Sequence, residues 1–123
     1  MKAAAPLLVL GLAVALAACD LYFPDHRVRV AGVVRDTSGA GVADVEVSLR
    51  RQRFLYDTPL ATARTGPGGA YRLTHKLEGC STLFDGFSVL AERVVGADTV
   101  RASQEVECVD DEQTADLVLP ALR

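Results

Sequence analysis

The segment from Arg27 to Arg50 reads RVRVAGVVRDTSGAGVADVEVSLR, and its pattern decides the fold. From Val28 to Val34 every second residue is valine or glycine, and the same period of two returns from Val45 to Leu49. Successive side chains of a β-strand point to opposite faces, so this period places one apolar face inward. Between the two runs, Asp36–Gly41 is rich in residues that form turns. The segment therefore predicts two strands joined by a turn.

The rest of the chain continues this succession of short strands and turns. The strongest turn signal is Gly66–Gly69, which reads GPGG and precedes an alternating run that contains Tyr71 and Leu73. Residues 50–60 are expected to form a strand end and a connecting loop, because Pro59 cannot pair within a central strand. Further strands are expected at residues 61–65, 71–76, 87–91, 99–102, 105–109 and 114–119. This spacing predicts an all-β protein, a Greek-key-type β-sandwich of about seven to eight short strands.

The N-terminus has the pattern of a targeting signal. Lys2 is followed by an uncharged, mainly apolar run of 16 residues from Ala3 to Ala18, shorter than the ~20 residues that cross a bilayer as a helix. The sequence LAAC at residues 16–19 resembles a bacterial lipobox, in which the cysteine is lipidated and becomes the mature N-terminus. The resemblance implies a helical signal peptide at residues 1–18, a lipidated tether at 19–26 and one domain at 27–123. An uncleaved anchor or an ordinary signal peptide is the alternative.

The net charge and the number of cysteines limit which partners and which cellular compartment are expected. Without Lys2, 12 basic residues face 16 acidic ones, a net charge of −4, which argues against general binding of nucleic acid or of an anionic membrane surface. If Cys19 carries lipid, Cys80 and Cys108 remain as an even pair in an oxidising compartment. A disulfide between them is expected, and it would stabilise the domain by ~3 kcal/mol. Two buried free thiols are the alternative.

Two segments resemble the carboxypeptidase regulatory-like domain, a transthyretin-like or prealbumin-like β-sandwich. Residues 30–49 are similar to the family's opening strand, glycine turn and second strand, and residues 65–73 (TGPGGAYRL) to its threonine, turn, aromatic residue and leucine. The chain departs from the family pattern at Gly41, where proline is frequent, and at Gly66 and Gly68, where aspartate is usual. The resemblance implies an accessory or adhesive module that is not catalytic and needs no cofactor.

Catalytic and metal-binding patterns are weak in this chain. The sequence from His75 to Glu78 has the H-x-x-E spacing of metallocarboxypeptidases, but residues three apart on a strand point to opposite faces, and no histidine follows to complete a zinc site. Ser81 lacks the sequence context of a nucleophile, and the C-terminus lacks the Tyr-Arg-Gly-Ser ending of hydroxyisourate hydrolases. The acidic run at Asp110–Glu112 lacks calcium-loop spacing and is interpreted as a solvated turn.

One cluster combines basic and aromatic residues, namely Arg50, Arg51, Arg53, Phe54 and Tyr56. Such a cluster is suited to hold an anionic or sugar ligand or a partner loop. The alternative is a polar strand edge whose arginines prevent pairing with another chain. The cluster is the binding surface that the sequence favours.

Together these features predict a non-enzymatic lipoprotein of the bacterial cell envelope, anchored to a membrane that faces the periplasm or the exterior. Its sandwich would be presented to an envelope protein or a glycan. A small-ligand- or metal-binding module, or a hydrolase on the same fold, is the alternative, and a concave site that brings His26 or His75 together with acidic residues would favour it.

Overall fold

The computed structural model describes residues 26–77 and 85–121, and within these ranges the protein is all-β, without a helix. Eight strands follow one another along the chain: β1 (His26–Arg35), β2 (Glu46–Arg53), β3 (Tyr56–Arg64), β4 (Ala70–Leu77), β5 (Asp85–Val95), β6 (Asp98–Val106), β7 (Glu112–Thr114) and β8 (Leu117–Val118). The predicted all-β fold with seven to eight strands is confirmed. The predicted signal peptide, Cys19, Cys80 and most of the tether lie outside the described residues.

The strands form two sheets that pack as a sandwich. In the first sheet β1 pairs with β4 in antiparallel fashion and with β7 and β8 in parallel. The second sheet has the order β3-β2-β5-β6, and all its neighbours are antiparallel. The connections β1–β2, β3–β4, β4–β5 and β6–β7 pass from one sheet to the other, as in a Greek-key sandwich.

Strand direction defines two ends of the sandwich. The N-terminal end contains the beginning of β1 at His26, the end of β4 at Leu77 and the β2–β3 turn at residues 54–55. The distal end contains the β3–β4 turn at residues 66–69 and the β5–β6 turn at residues 96–97. The chain therefore enters the domain at the same end as the β2–β3 hairpin turn.

The core lies between the two sheets and is built from alternate positions of each strand. Val28, Val30 and Val34 of β1 are fully buried, as the alternation predicts. The other buried apolar residues are Val42, Val45, Val47, Leu49, Tyr71, Leu73, Leu77, Phe87, Val89, Ala91, Ala115, Leu117 and Leu119.

Three strand predictions were wrong, and all concern edges or the C-terminal segment. β3 begins at Tyr56 rather than at residue 61, so residues 56–60 are strand rather than loop. Pro59 is tolerated because β3 is an edge strand, where a missing N–H need not cost a ladder hydrogen bond. β6 is one strand where two were predicted, and the strand predicted at 114–119 is divided between β7 and β8.

Thr65 joins the β1–β2 connection to the end of β3. Its buried hydroxyl accepts a hydrogen bond from the backbone N–H of Val45 (3.0 Å) and donates one to the carbonyl of Val42 (2.6 Å). Its backbone N–H donates to the Val45 carbonyl and its carbonyl accepts from the N–H of Asp44, each at 3.0 Å. Asp44 adopts a left-handed backbone with φ of 59°. One threonine therefore satisfies four backbone groups at a bend.

The segment between β7 and β8 closes the first sheet. The carboxylate of Asp116 accepts a hydrogen bond from the N–H of Val33 (2.9 Å), which takes the place of a missing ladder bond. The hydroxyl of the buried Tyr71 donates to the carbonyl of Ala115. Burial, with a smaller contribution from the charge of Asp116, raises the pKa of Tyr71 to about 12. A Cβ on Gly32 would lie 2.6 Å from the carbonyl carbon of Ala115, so only glycine fits here.

Candidate functional site

The β2–β3 hairpin carries most of the predicted basic–aromatic cluster. β2 ends at Arg53 and β3 begins at Tyr56, which leaves a two-residue turn of Phe54 and Leu55. Phe54 has a φ of 55°, a conformation that glycine and asparagine adopt easily and an aromatic residue adopts at a cost of ~1 kcal/mol or more. The side chains of Phe54, Leu55 and Tyr56 are 79%, 98% and 76% exposed. The turn therefore presents three adjacent large hydrophobic side chains to the solvent.

The arginines of the cluster do not form one patch. Strand alternation places Arg50 on the outer face of the sheet, whereas Arg51 lies opposite the buried Phe87 on the core-facing side. On the outer face, the Nε of Arg50 donates to the Asp57 carboxylate at 2.9 Å, and its Nη1 donates to the Ser48 hydroxyl at 3.3 Å.

Arg53 forms a bidentate ion pair at the N-terminal end. Its Nε and Nη2 donate to the two carboxylate oxygens of Asp85, at 2.6 and 3.0 Å. The Asp85 side chain is only 4% exposed, so its charge is largely withdrawn from water. The hydrogen bonds to Asp85 and its negative charge raise the pKa of Arg53 above its ordinary value. The pair connects the end of β2 to the beginning of β5, and it neutralises the base of the hairpin.

The predicted binding surface is thus only partly brought together. Arg53, Phe54 and Tyr56 share the hairpin end, and Arg50 and Arg51 are separated by the alternation of β2. The role of the five residues as one binding surface stays a prediction. The sequence interpretation omitted Leu55, the most exposed of the large hydrophobic residues described. The signal that could have identified the turn is a hairpin without glycine or asparagine, within the residues 50–60 that the sequence predicts as a strand end and a connecting loop.

Cys108 lies after β6, beside the same end of the sandwich, and forms a disulfide. The cysteines that could pair with it, Cys19 and Cys80, both lie outside the described residues, so the predicted bond to Cys80 stays a prediction. After Cys108, the acidic run at Asp110–Glu112 attaches the chain to β1. The Asp110 carboxylate accepts a hydrogen bond from the N–H of Arg27 at 2.9 Å.

The metal-binding and catalytic candidates of the sequence lie partly within residues 26–77 and 85–121. In these ranges no group of three or more histidine, cysteine, aspartate or glutamate side chains is arranged to hold a metal ion. His75 is half-buried on β4, opposite Val28, and Glu78 and Ser81 lie outside the described residues. Glu112 of the acidic run lies 3.4 Å from the guanidinium of Arg72.

Two open depressions lie elsewhere on the domain. One, of about 650 Å³, lies beside Gly32 and Tyr71 at the β7–β8 segment. The other, of about 470 Å³, lies towards the distal end and is lined by Asp44, Glu46, Arg64 and Glu92 together with the exposed Val94. In the second depression Arg64 pairs with Asp44 at 3.3 Å. Carboxylates, a guanidinium and an apolar side chain therefore meet on one concave surface.

Comparison with protein-family models finds no matching family, and comparison with curated proteins finds no matching relative. Membership of the carboxypeptidase regulatory-like family therefore stays a prediction. No helix long and apolar enough to cross a membrane occurs in the part of the chain that the structure describes.

Proposed function

We propose that this protein is a non-enzymatic envelope lipoprotein, held at a membrane by lipid on Cys19, whose β-sandwich is presented to a protein or glycan partner. The observation that carries the proposal is the position of Cys19. It follows an uncharged run of 16 residues and precedes the first strand residue, His26, by seven positions. A lipidated cysteine there would join the membrane to the domain with very little intervening chain.

The short connection limits how the domain can sit. Seven residues span at most about 25 Å when fully extended. The N-terminal end of the sandwich would therefore remain near the lipid surface, and the distal end would point away from it. A lipid modification with two or three chains makes such attachment stable, at ~0.8 kcal/mol per buried CH₂.

The distal end supplies a surface for contact. Its depression is lined by Asp44, Glu46, Arg64 and Glu92, which offer hydrogen-bond acceptors and donors, and by Val94, which is 66% exposed. A mixed polar and apolar concave surface is suited to a sugar or to a loop of a partner protein. The net charge of −4 for residues 19–123 favours a neutral or basic partner over an anionic one.

Mass spectrometry and fractionation of the protein made in a bacterial host test the proposal. We expect the mature N-terminus to be an acylated Cys19 and the protein to sediment with membranes. The Cys19→Ser variant should lose both properties, whereas Cys19 should remain acylated in a Cys80→Ser control. An unmodified Cys19 in a product released from the membrane would refute the anchor.

A further inference from the structure

The β2–β3 hairpin and the entry of the chain occupy the same end of the sandwich. β1 runs from this end and β2 runs towards it, because the β1–β2 connection crosses between the sheets at the distal end. His26 pairs with Leu77 and Arg53 pairs with Asp85, so the strands on either side of residues 78–84 also meet here. A lipid on Cys19 would bring this end, and the turn with it, to the membrane surface.

The side chains at the turn have the chemistry of membrane-interface residues. Leu55 and Phe54 are apolar, and the ring of Tyr56 combines an apolar body with a hydroxyl that can remain hydrated. Their exposure of 98%, 79% and 76% leaves most of their surface in water when the domain is alone. Phe54 holds a left-handed backbone, an unfavourable choice for a solvent-exposed turn that serves only as a connection.

The base of the hairpin suits an approach to a lipid surface. The guanidinium of Arg53 is bidentate on Asp85, and Arg50 is bound to Asp57, so two of the three arginines of the hairpin are neutralised within the protein. These two ion pairs need not be separated when the turn enters the headgroup region. The apolar turn would then lie towards the acyl chains, and the paired charges at the base of the hairpin would lie among the polar headgroups.

We propose that Phe54, Leu55 and Tyr56 insert into the boundary between headgroups and acyl chains of the membrane that carries the Cys19 lipid. This inference rests on the proposed function. The hairpin provides a second attachment point, and two points fix the tilt of the domain where a single point cannot. The distal depression is then held outward.

The absence of tryptophan from the chain allows a direct test. Leu55→Trp places a single fluorescent reporter on the turn, and Ala97→Trp places a matched reporter on the exposed β5–β6 turn at the distal end. Tyr56→Trp serves as a second reporter at the hairpin. Each lipidated mature protein is reconstituted into vesicles of phosphatidylethanolamine and phosphatidylglycerol, with and without brominated acyl chains, and flotation verifies that it is bound.

We expect blue-shifted emission and strong quenching by brominated lipid for Leu55→Trp and Tyr56→Trp, with neither effect for Ala97→Trp. The inference is overturned if all three reporters float with the vesicles but remain equally accessible to aqueous iodide. It is also overturned if Leu55→Trp is already shielded without vesicles in a concentration-dependent manner, since a second copy would then cover the turn. Failure of all three proteins to float, Ala97→Trp included, refutes the anchor instead.

Discussion

Replacing Thr65 by valine tests how the bend between β1 and β2 is held. Valine has nearly the shape of threonine, so the change removes the hydroxyl and leaves the packing in place. The N–H of Val45 and the carbonyl of Val42 would both lose their partner in a buried position. Each unsatisfied buried group costs about 1–3 kcal/mol, so for the two groups together we expect the free energy of unfolding to fall by about 2–6 kcal/mol. This is a large share of the ~5–15 kcal/mol that stabilises a typical domain.

Urea denaturation of the oxidised protein measures the effect. Thr65→Val should lower the midpoint without changing the slope m, because the surface exposed on unfolding stays the same. Thr65→Ser keeps both hydrogen bonds and loses one methyl group, at ~1 kcal/mol. Thr62→Val makes the same chemical change at an exposed position of β3 and should be nearly neutral. If Thr65→Ser costs as much as Thr65→Val, the hydroxyl does not stabilise the bend and the reasoning fails.

Three further predictions concern the closure of the first sheet and the disulfide. Since the pKa of Tyr71 is raised to about 12 from 10.0, the free energy of unfolding should fall as the pH rises from about 10 to about 12, and Tyr71→Phe should flatten that decline in urea titrations. Gly32→Ala should destabilise the domain by about 1–3 kcal/mol, whereas Gly68→Ala should not, because open space surrounds Gly68. Equal thermal midpoints for the two variants would contradict the close approach of the Ala115 carbonyl to Gly32. Peptide mapping without reduction should recover Cys80 linked to Cys108, and two alkylatable thiols in the native mature protein would refute the bond.

Central strands could be predicted from the sequence because burial on one face imposes a period of two. The central strands β1, β2 and β5 each show that period at residues that are buried, such as Val28, Val47 and Val89. β3 and β6 lie at the edges of their sheet, where much of the strand faces water. On an exposed strand, apolar and polar residues need not alternate. The sequence therefore predicts β3 too short and divides β6 into two strands. Pro59 adds to the error, because proline is excluded from central strands but not from an edge strand such as β3.

The candidate site shows a different limit. Arg50, Arg51 and Arg53 are neighbours in the chain, and proximity in sequence suggested one patch. Strand alternation places the first two on opposite faces, and the partner of Arg53 comes from β5, 32 residues further on. That partner depends on which strand lies beside β2, a fact of topology that no local pattern contains. The exposed turn could have been predicted from the sequence, because Phe54 and Leu55 occupy positions where a tight hairpin usually has glycine or asparagine.

The position of β1 has a consequence for the order in which the sandwich can form. β1 precedes the other strands, yet one of its sides is covered only by β7 and β8, more than 80 residues later, as the pairing of Arg29 with Glu112 shows. A chain that still lacks its last residues therefore cannot complete the first sheet. A molecule that ends before β7 would present the side of β1 as a free edge, to which a second chain can pair.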